Sequence, residues 1–434
     1  MSETVAVEEL RIGMYIHLDL GWMAHPFPVS SFRITAAEQI ATIRELGLKQ
    51  LRWVPEKSLP LEPAAAAGSW TMCLDPQVAP RDGSPTAGEH GEVISEERRQ
   101  RERLAAQRAS ALVCERQYGE AGRAWRDASD AVLRQPEQAR QASEALAGAL
   151  LDKMLIDGEM SIRLLSSGAG DRATAHALNV SVISLLMGRS MGLTRVEMLD
   201  LGVGALMHDV GKLDVPDRLR HLEEGLSASE TQAYREHVAR GVVHGRRMGL
   251  QPGALLVLAQ HHELADATGF PLRLPADRTS LAARIVALVN RYDNLCNPAQ
   301  MARALTPHEA LSTLFAQSRA KFDAVVLNSF IRMMGVYPAG SLVQLTDDRY
   351  AMVMSVNSSR PMKPRVLVHN PKGQKSDGLF LNLEAMADLG IRRSLNPAKL
   401  PREALEYLSP RPRVSYFFEP TPAEERMPAS EALA

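Results

Sequence analysis

Leu199-Asp200-Leu201-Gly202-Val203-Gly204-Ala205-Leu206-Met207-His208-Asp209-Val210-Gly211-Lys212 joins an apolar nine-residue run to an abruptly polar end. The run is apolar enough for a buried helix, which delivers a histidine and an aspartate side by side at its terminus. Titratable groups in such a place need partners. Candidates stand on either side: His176 before the run, then His237 and the triplet His261-His262-Glu263 after it. Seven of the 12 histidines fall between His176 and His262, roughly a fifth of the chain. An isolated His-Asp pair reads most simply as a buried hydrogen-bonded pair. Five histidines in fixed order read differently, because a carboxylate can bridge two divalent cations while neutral imidazoles fill their outer positions. Two such cations can activate water and neutralise a phosphate, so a metal-dependent phosphohydrolase, or a relic of one, is expected.

Composition bounds the alternatives. The 434 residues are enough for two or three domains with proper cores. With 50 basic against 51 acidic residues the net charge is −1, and no overall basic field points to DNA. Cys73, Cys114 and Cys296 are far apart and form no paired metal spacing, which fits a reducing compartment. No apolar run approaches the ~18 residues of a membrane span, and Met1-Ser2-Glu3-Thr4 is an acidic start rather than a signal peptide. A soluble cytoplasmic protein without membrane insertion is expected.

The expected fold is mainly α, an all-helical catalytic domain flanked by a small α+β N-terminal domain and a small β-rich C-terminal module. Residues 1–54 form the first unit, with strands at 15–20 and 51–54 and a helix over 35–46. His17 and His25, with Trp22 and Phe27, read there as packing around a turn. Residues 55–93 are rich in Pro, Ala and Gly and read as a linker. Residues 94–158 carry connecting helices at 94–109 and 142–155, whose apolar stripes call for each other, the next domain or a second subunit. Residues 159–338 read as helical throughout from Ile162, with stops at Gly192-Leu193-Thr194 and Pro252-Gly253. Residues 339–420 alternate as strands at 341–345, 350–356 and 365–369, with a turn at Asp347-Asp348, and 421–434 is a disordered tail.

The helical region resembles an HD-GYP domain, the variant of the HD phosphohydrolase superfamily associated with cyclic di-GMP hydrolysis. The N-terminal unit resembles the uncharacterised domain that often precedes it. The resemblance covers roughly residues 160–338. It implies His176, His208, Asp209, His237, His261 and His262 as ligands of two divalent metal ions, with Asp209 as the bridge. Iron or manganese suits that mixed set best. Lys212 matches the family lysine and, if the helix continues, lies one turn beyond Asp209. From there it can stabilise negative charge on phosphate or form a salt bridge to Asp209 or Asp214. Gly269-Phe270-Pro271 stands where the family has its Gly-Tyr-Pro signature, implying substrate contact.

Three departures matter. Asn290 stands where the family has an aspartate ligand; it, or Asp293 one turn on, is the remaining metal candidate. Ala299-Gln300-Met301-Ala302 replaces the family's phosphate-holding basic segment, leaving Arg291 or Arg303 as substitutes. Arg172 replaces the glutamate of three-metal members, so two metals are expected. His221 and His244 read as structural or exposed. The expectation is a phosphodiesterase taking cyclic di-GMP to pGpG or GMP, partnered by its cyclic dinucleotide and by a second copy or another signalling protein. The alternatives are a weakened domain serving as nucleotide sensor or interaction module, and a phosphohydrolase for another nucleotide.

Overall fold

The computed structural model describes residues 3–21, 24–25, 27, 30–59, 96–155, 158–165, 171–220, 225–371, 378, 380–386 and 388–421. Most of the expected linker, the tail beyond 421, Trp22, Cys73 and His221 lie outside the described residues. Met1–Leu20 with Val29–Arg103 form one compact unit, and Gly21–Pro28 with Leu104–Ala434 another.

In the first unit, β1 (Glu3–Ala6), β2 (Tyr15–His17), β3 (Ser31–Arg33) and β4 (Gln50–Trp53) form an antiparallel sheet in the order β1-β4-β2-β3. With helix α1 (Ala37–Glu45) they bury Ile16, Ile34, Ile43 and Leu51. Alternation marks β2 and β4, although β2 stops at His17. The short β1 and β3 carry too few apolar positions to be read.

Helix α2 (Glu96–Ala131), whose residues from Leu104 belong to the second unit, and α3 (Pro136–Met154) follow, one helix of 36 residues and one of 19 where two shorter ones were expected. Next come β5 (Met160–Leu164), α4 (Arg172–Ser190), α5 (Arg195–Met207), α6 (Ala228–Met248), α7 (Pro252–Gln260), α8 (Leu281–Cys296), α9 (Pro307–Gln317) and α10 (Ala324–Met334). Their starts follow from side-chain chemistry. Thr194 with Glu197, Ser227 with Glu230 and Thr306 with Glu309 are capping boxes for α5, α6 and α9. Pro252 opens α7, and Gly249 closes α6 in the left-handed region at φ 77°. Helix α4 is buried without interruption from Ala177 to Gly188 and forms the axis against which α5 and α8 pack.

The chain continues as β6 (Leu342–Leu345), β7 (Tyr350–Asn357), β8 (Arg365–Val368), β9 (Phe380–Asn382), β10 (Ile391–Leu395), α11 (Arg402–Leu408) and β11 (Tyr416–Pro420). Here one expectation is corrected. The region from Ile162 is not helical from its start, because Met160-Ser161-Ile162-Arg163-Leu164 is a strand. In the sheet β10-β6-β7-β5-β11, Ile162 of β5 sits between Val356 of β7 and Phe418 of β11. All five β5 residues are buried, including Arg163, paired with Glu419 at 2.7 Å, so no alternation betrays the strand. Sheet and helices share one apolar core.

Candidate metal centre

Four separate segments deliver the histidines. His176 lies in the second turn of α4, His208 follows the last residue of α5, His237 is in mid-α6, and His261 caps the C-terminal end of α7 with His262 next. Three buried histidines share a device: Nδ1–H of His208, His237 and His261 donates to the carbonyl three residues earlier, Ala205 at 2.8 Å, Tyr234 at 2.6 Å and Leu258 at 3.0 Å. A carbonyl only accepts, so in the neutral ring the proton sits on Nδ1 and Nε2 presents a lone pair. Burial drives the same state, pushing His237 down to about 4. It also holds His261 and His262 well below the usual imidazole range, with further lowering from neighbouring histidines.

These lone pairs converge on Asp209. Its Oδ2 faces Nε2 of His208 at 3.4 Å and of His176 at 3.7 Å, while Oδ1 faces Nε2 of His237 at 3.6 Å and of His261 at 3.8 Å. Within each pair the nitrogens are 3.2 Å (His176 and His208) and 3.4 Å (His237 and His261) apart. Asp209 Oδ1 and His262 Nε2 are buried without a hydrogen-bond partner. Donors each about 2.1 Å from one ion stand roughly 3.0–3.4 Å apart, close to the spacing within each pair. Two groups of donors sharing Asp209 therefore fit two cations. Burial pushes the Asp209 carboxyl up, but Lys212, His208 and His237 outweigh it and hold it well below the usual carboxylate range.

Lys212 is not on a continuing helix. The chain tightens into a 3-10 turn over Val210–Asp214, and the ammonium pairs with Asp209 Oδ2 at 2.7 Å, beside the ring of Tyr234. Asp293 takes a different place from the ligand position considered for it: its Oδ2 accepts from His176 Nδ1 at 2.6 Å. Asn290 is buried, accepts from Asn294 at 2.9 Å and lines a cavity with His261 and His262.

Two cavities flank the centre. One of about 290 Å³ is lined by His176, His208, Asp209 and Lys212 with Trp125 of α2, Arg172 and Arg220. The other, about 460 Å³, is lined by His261, His262, Gly269, Phe270 and Asn290 with the cations Arg235, Arg291 and Lys321. Arg303 and Ala299-Gln300-Met301-Ala302 line neither. His244 is structural, bonded to Asp214 at 2.8 Å, and His17 is held by Ser31 in the first unit.

Phe270 stacks on His262 with ring centroids 4.4 Å apart, and the Arg235 guanidinium lies 5.0 Å from the Phe270 ring. Pro271 is not among the lining residues. Glu263 sets this loop, its carboxylate accepting from the amides of Leu272 at 2.7 Å and Leu274 at 2.8 Å. Gly269 lets the loop close, since a Cβ there would stand 2.4 Å from the His262 carbonyl. Glu263→Ala is expected to lose both charge-assisted bonds and about 2–3 kcal/mol of stability. Thermal melting checks it, and an unchanged midpoint would deny the loop its anchor.

Residues 2–142 match a domain of unknown function, DUF3391, and residues 159–326 match the HD domain. The chain is 28% identical over 376 residues to a cyclic di-GMP phosphodiesterase of Pseudomonas aeruginosa, covering 85% of each protein. It is 23% identical over 224 residues to the cyclic di-GMP phosphodiesterase PdeB of Borreliella burgdorferi, 51% of this chain and 59% of that one. A solved HDG"Y"P protein of Bdellovibrio bacteriovorus is 13% identical, with a TM-score of 0.41 over 76% of this chain and 98% of that one.

Proposed function

We propose, from the match of residues 159–326 to the HD domain, the match of residues 2–142 to DUF3391 and the resemblance to HD-GYP proteins, that the chain is a metal-dependent phosphodiesterase opening cyclic di-GMP to pGpG or on to GMP. One observation carries the reading: each carboxylate oxygen of Asp209 faces its own pair of histidine nitrogens.

In this reading His176, His208 and Asp209 hold one cation, and Asp209, His237, His261 and His262 the other, with iron or manganese suited to the set. When bound, the pair supplies Lewis acidity that activates water and offsets phosphate charge. Neutral histidines are the form a cation needs, and burial maintains it in His237, His261 and His262. The water oxygen joins phosphorus, the bond to the ribose 3′-oxygen breaks, and that oxygen takes up a proton. Lys212, at the wall of the first cavity, offsets charge growing on the phosphate oxygens. Gly269, Phe270 and Pro271 form the substrate-side loop, and Arg235, Arg291 and Lys321 take over phosphate binding from the missing basic segment. Residues 159–338 are assigned the catalysis and residues 1–54 its regulation, with a second copy or another signalling protein as input. Among the described residues no helix is long and apolar enough to cross a membrane. The cytoplasm is the proposed compartment.

Asn290 favours a second reading, a nucleotide sensor or interaction module that binds without turnover. Incubating iron- or manganese-loaded protein with cyclic di-GMP anaerobically, with products separated by chromatography, tests both. pGpG or GMP supports the enzyme, whereas binding without product supports the sensor. Product from a different nucleotide in a substrate panel would redirect the specificity. Asn290→Asp is expected to tighten one manganese-binding event about tenfold in calorimetry by adding a charged ligand. Unchanged affinity would place residue 290 outside the coordination sphere.

A further inference from the structure

Asp293 is fully buried, and every acceptor position it uses is accounted for. Oδ2 takes the Nδ1–H of His176, while Oδ1 takes Nδ2 of Asn179 at 2.7 Å and Nδ2 of Asn297 at 2.8 Å. Both asparagines continue outward to Val414 and Tyr416, where the chain enters the last strand. Asn297 donates to the Val414 carbonyl at 2.9 Å and accepts from the Val414 amide at 2.9 Å. Asn179 donates to the same carbonyl at 3.0 Å and accepts from the Tyr416 amide at 2.8 Å. Each amide group thus spends one N–H on Asp293 and the other on the Val414 carbonyl just before β11, with its oxygen on a backbone amide of residue 414 or 416.

We infer that the entry to β11, Val414 to Tyr416, is a working part of the metal centre: through Asn179 and Asn297 it fixes Asp293, and through Asp293 it sets the aim and donor strength of His176 toward its cation. The inference rests on the two-cation reading above. A carboxylate bonded to the far nitrogen of a ligating histidine fixes its tautomer and raises its basicity. The need is greater here than usual. With an amide at position 290, Asp209 is the single carboxylate among the proposed first ligands, and Asp293 adds a second negative charge one hydrogen bond away. Removing either asparagine leaves Asp293 with an unsatisfied lone pair at full burial and frees it to turn. Asn179, Asn297 and Asp293 are therefore positioning residues, and the strand is the fixed point they push against. The strand is itself held, paired along its length with β5 and anchored by the buried Glu419–Arg163 pair.

The test uses the full-length protein and manganese. Wild type is expected to take up two ions and give the exchange-coupled electron paramagnetic resonance signal of a pair. Asn297→Asp, which keeps size but swaps the donor facing Asp293 for an acceptor, is expected to weaken one binding event by about tenfold or more and to show isolated manganese at the same loading. Asn179→Ser opens the relay from the other helix and is expected to do the same, so the test does not hang on one variant folding. Circular dichroism of the metal-free proteins reports the fold. Phe418→Leu is the control: it trims a buried side chain of β11 two residues beyond Tyr416 but leaves the relay whole, and is expected to bind as wild type does. A coupled pair of wild-type affinity in both asparagine variants would overturn the relay. So would a loss in Phe418→Leu as large as theirs, which would reduce the effect to general loosening of β11. Uptake of a single ion by wild type would instead bring down the two-cation reading itself.

Discussion

Asp209→Ala is expected to lose metal-dependent hydrolysis by about four orders of magnitude, the scale seen when a member of a tightly coupled catalytic group is removed. That corresponds to about 5 kcal/mol in the barrier. The reason is the sharing. His176 and His208 converge on one oxygen of Asp209, and His237 and His261 on the other, so in the proposed centre one substitution would take a ligand from both cations, together with the one carboxylate of the two candidate donor groups. It also removes the carboxylate 2.7 Å from the Lys212 ammonium, whose charge would then repel an incoming ion. Asp209→Asn separates charge from shape: it keeps the side chain's volume and is expected to lose the metal pair as well, while the metal-free protein keeps its fold. Metal content by mass spectrometry and products by chromatography read the outcome. Normal turnover by Asp209→Ala, or a full complement of two ions in it, would sink the bridging role.

The histidines that gather around Asp209 were legible because the metal binding proposed for them demands particular side chains, and such side chains stand out inside apolar helices. His208 and Asp209 at the end of Leu201–Met207 needed no knowledge of the fold. Asp293 shows where such reading stops. Its spacing from Asn290 gives the face of α8 it occupies, but not that His176 lies opposite. The Asn297 four residues later and the Asn179 three residues after His176 were the available signals, polar groups on the same helical faces as site residues. For Lys212 the place one turn beyond Asp209 depended on the helix continuing past Met207, and nothing local announces the 3-10 turn found there, although the salt bridge to Asp209 offered as the alternative is present. Strand β5 escaped because a five-residue segment buried on both faces has no period, and its neighbours β7 and β11 lie about 200 residues or more along the chain. The Glu263 anchor was hidden in the same way, since its partners are backbone amides.

Gly211→Ala is expected to cost about 3 kcal/mol and to abolish binding of the metal pair, although residue 211 touches no ligand atom. The 3-10 turn that follows Asp209 lies directly on α6. A Cβ on Gly211 would stand 1.9 Å from the carbonyl oxygen of His237 and 2.4 Å from the amide nitrogen of Gly241. Both are helix backbone, which cannot yield as a flexible side chain would. The turn must therefore lift, although His244 and Asp214 tie it down further along. Lifting moves Asp209 and Lys212, on either side of Gly211, away from His237, so the packing defect becomes a metal-binding defect. Gly241→Ala is the matched comparison. Its Cβ would lie 3.4 Å from Gly211 N, an ordinary contact. Within α6 the alanine gains roughly 0.5–1 kcal/mol of helix propensity, so that variant is expected to match or exceed wild-type stability. Thermal melting of the metal-free proteins, followed by calorimetric titration with manganese, checks both. Equal melting points and equal metal binding for the two variants would show that the turn has room the packing denies it.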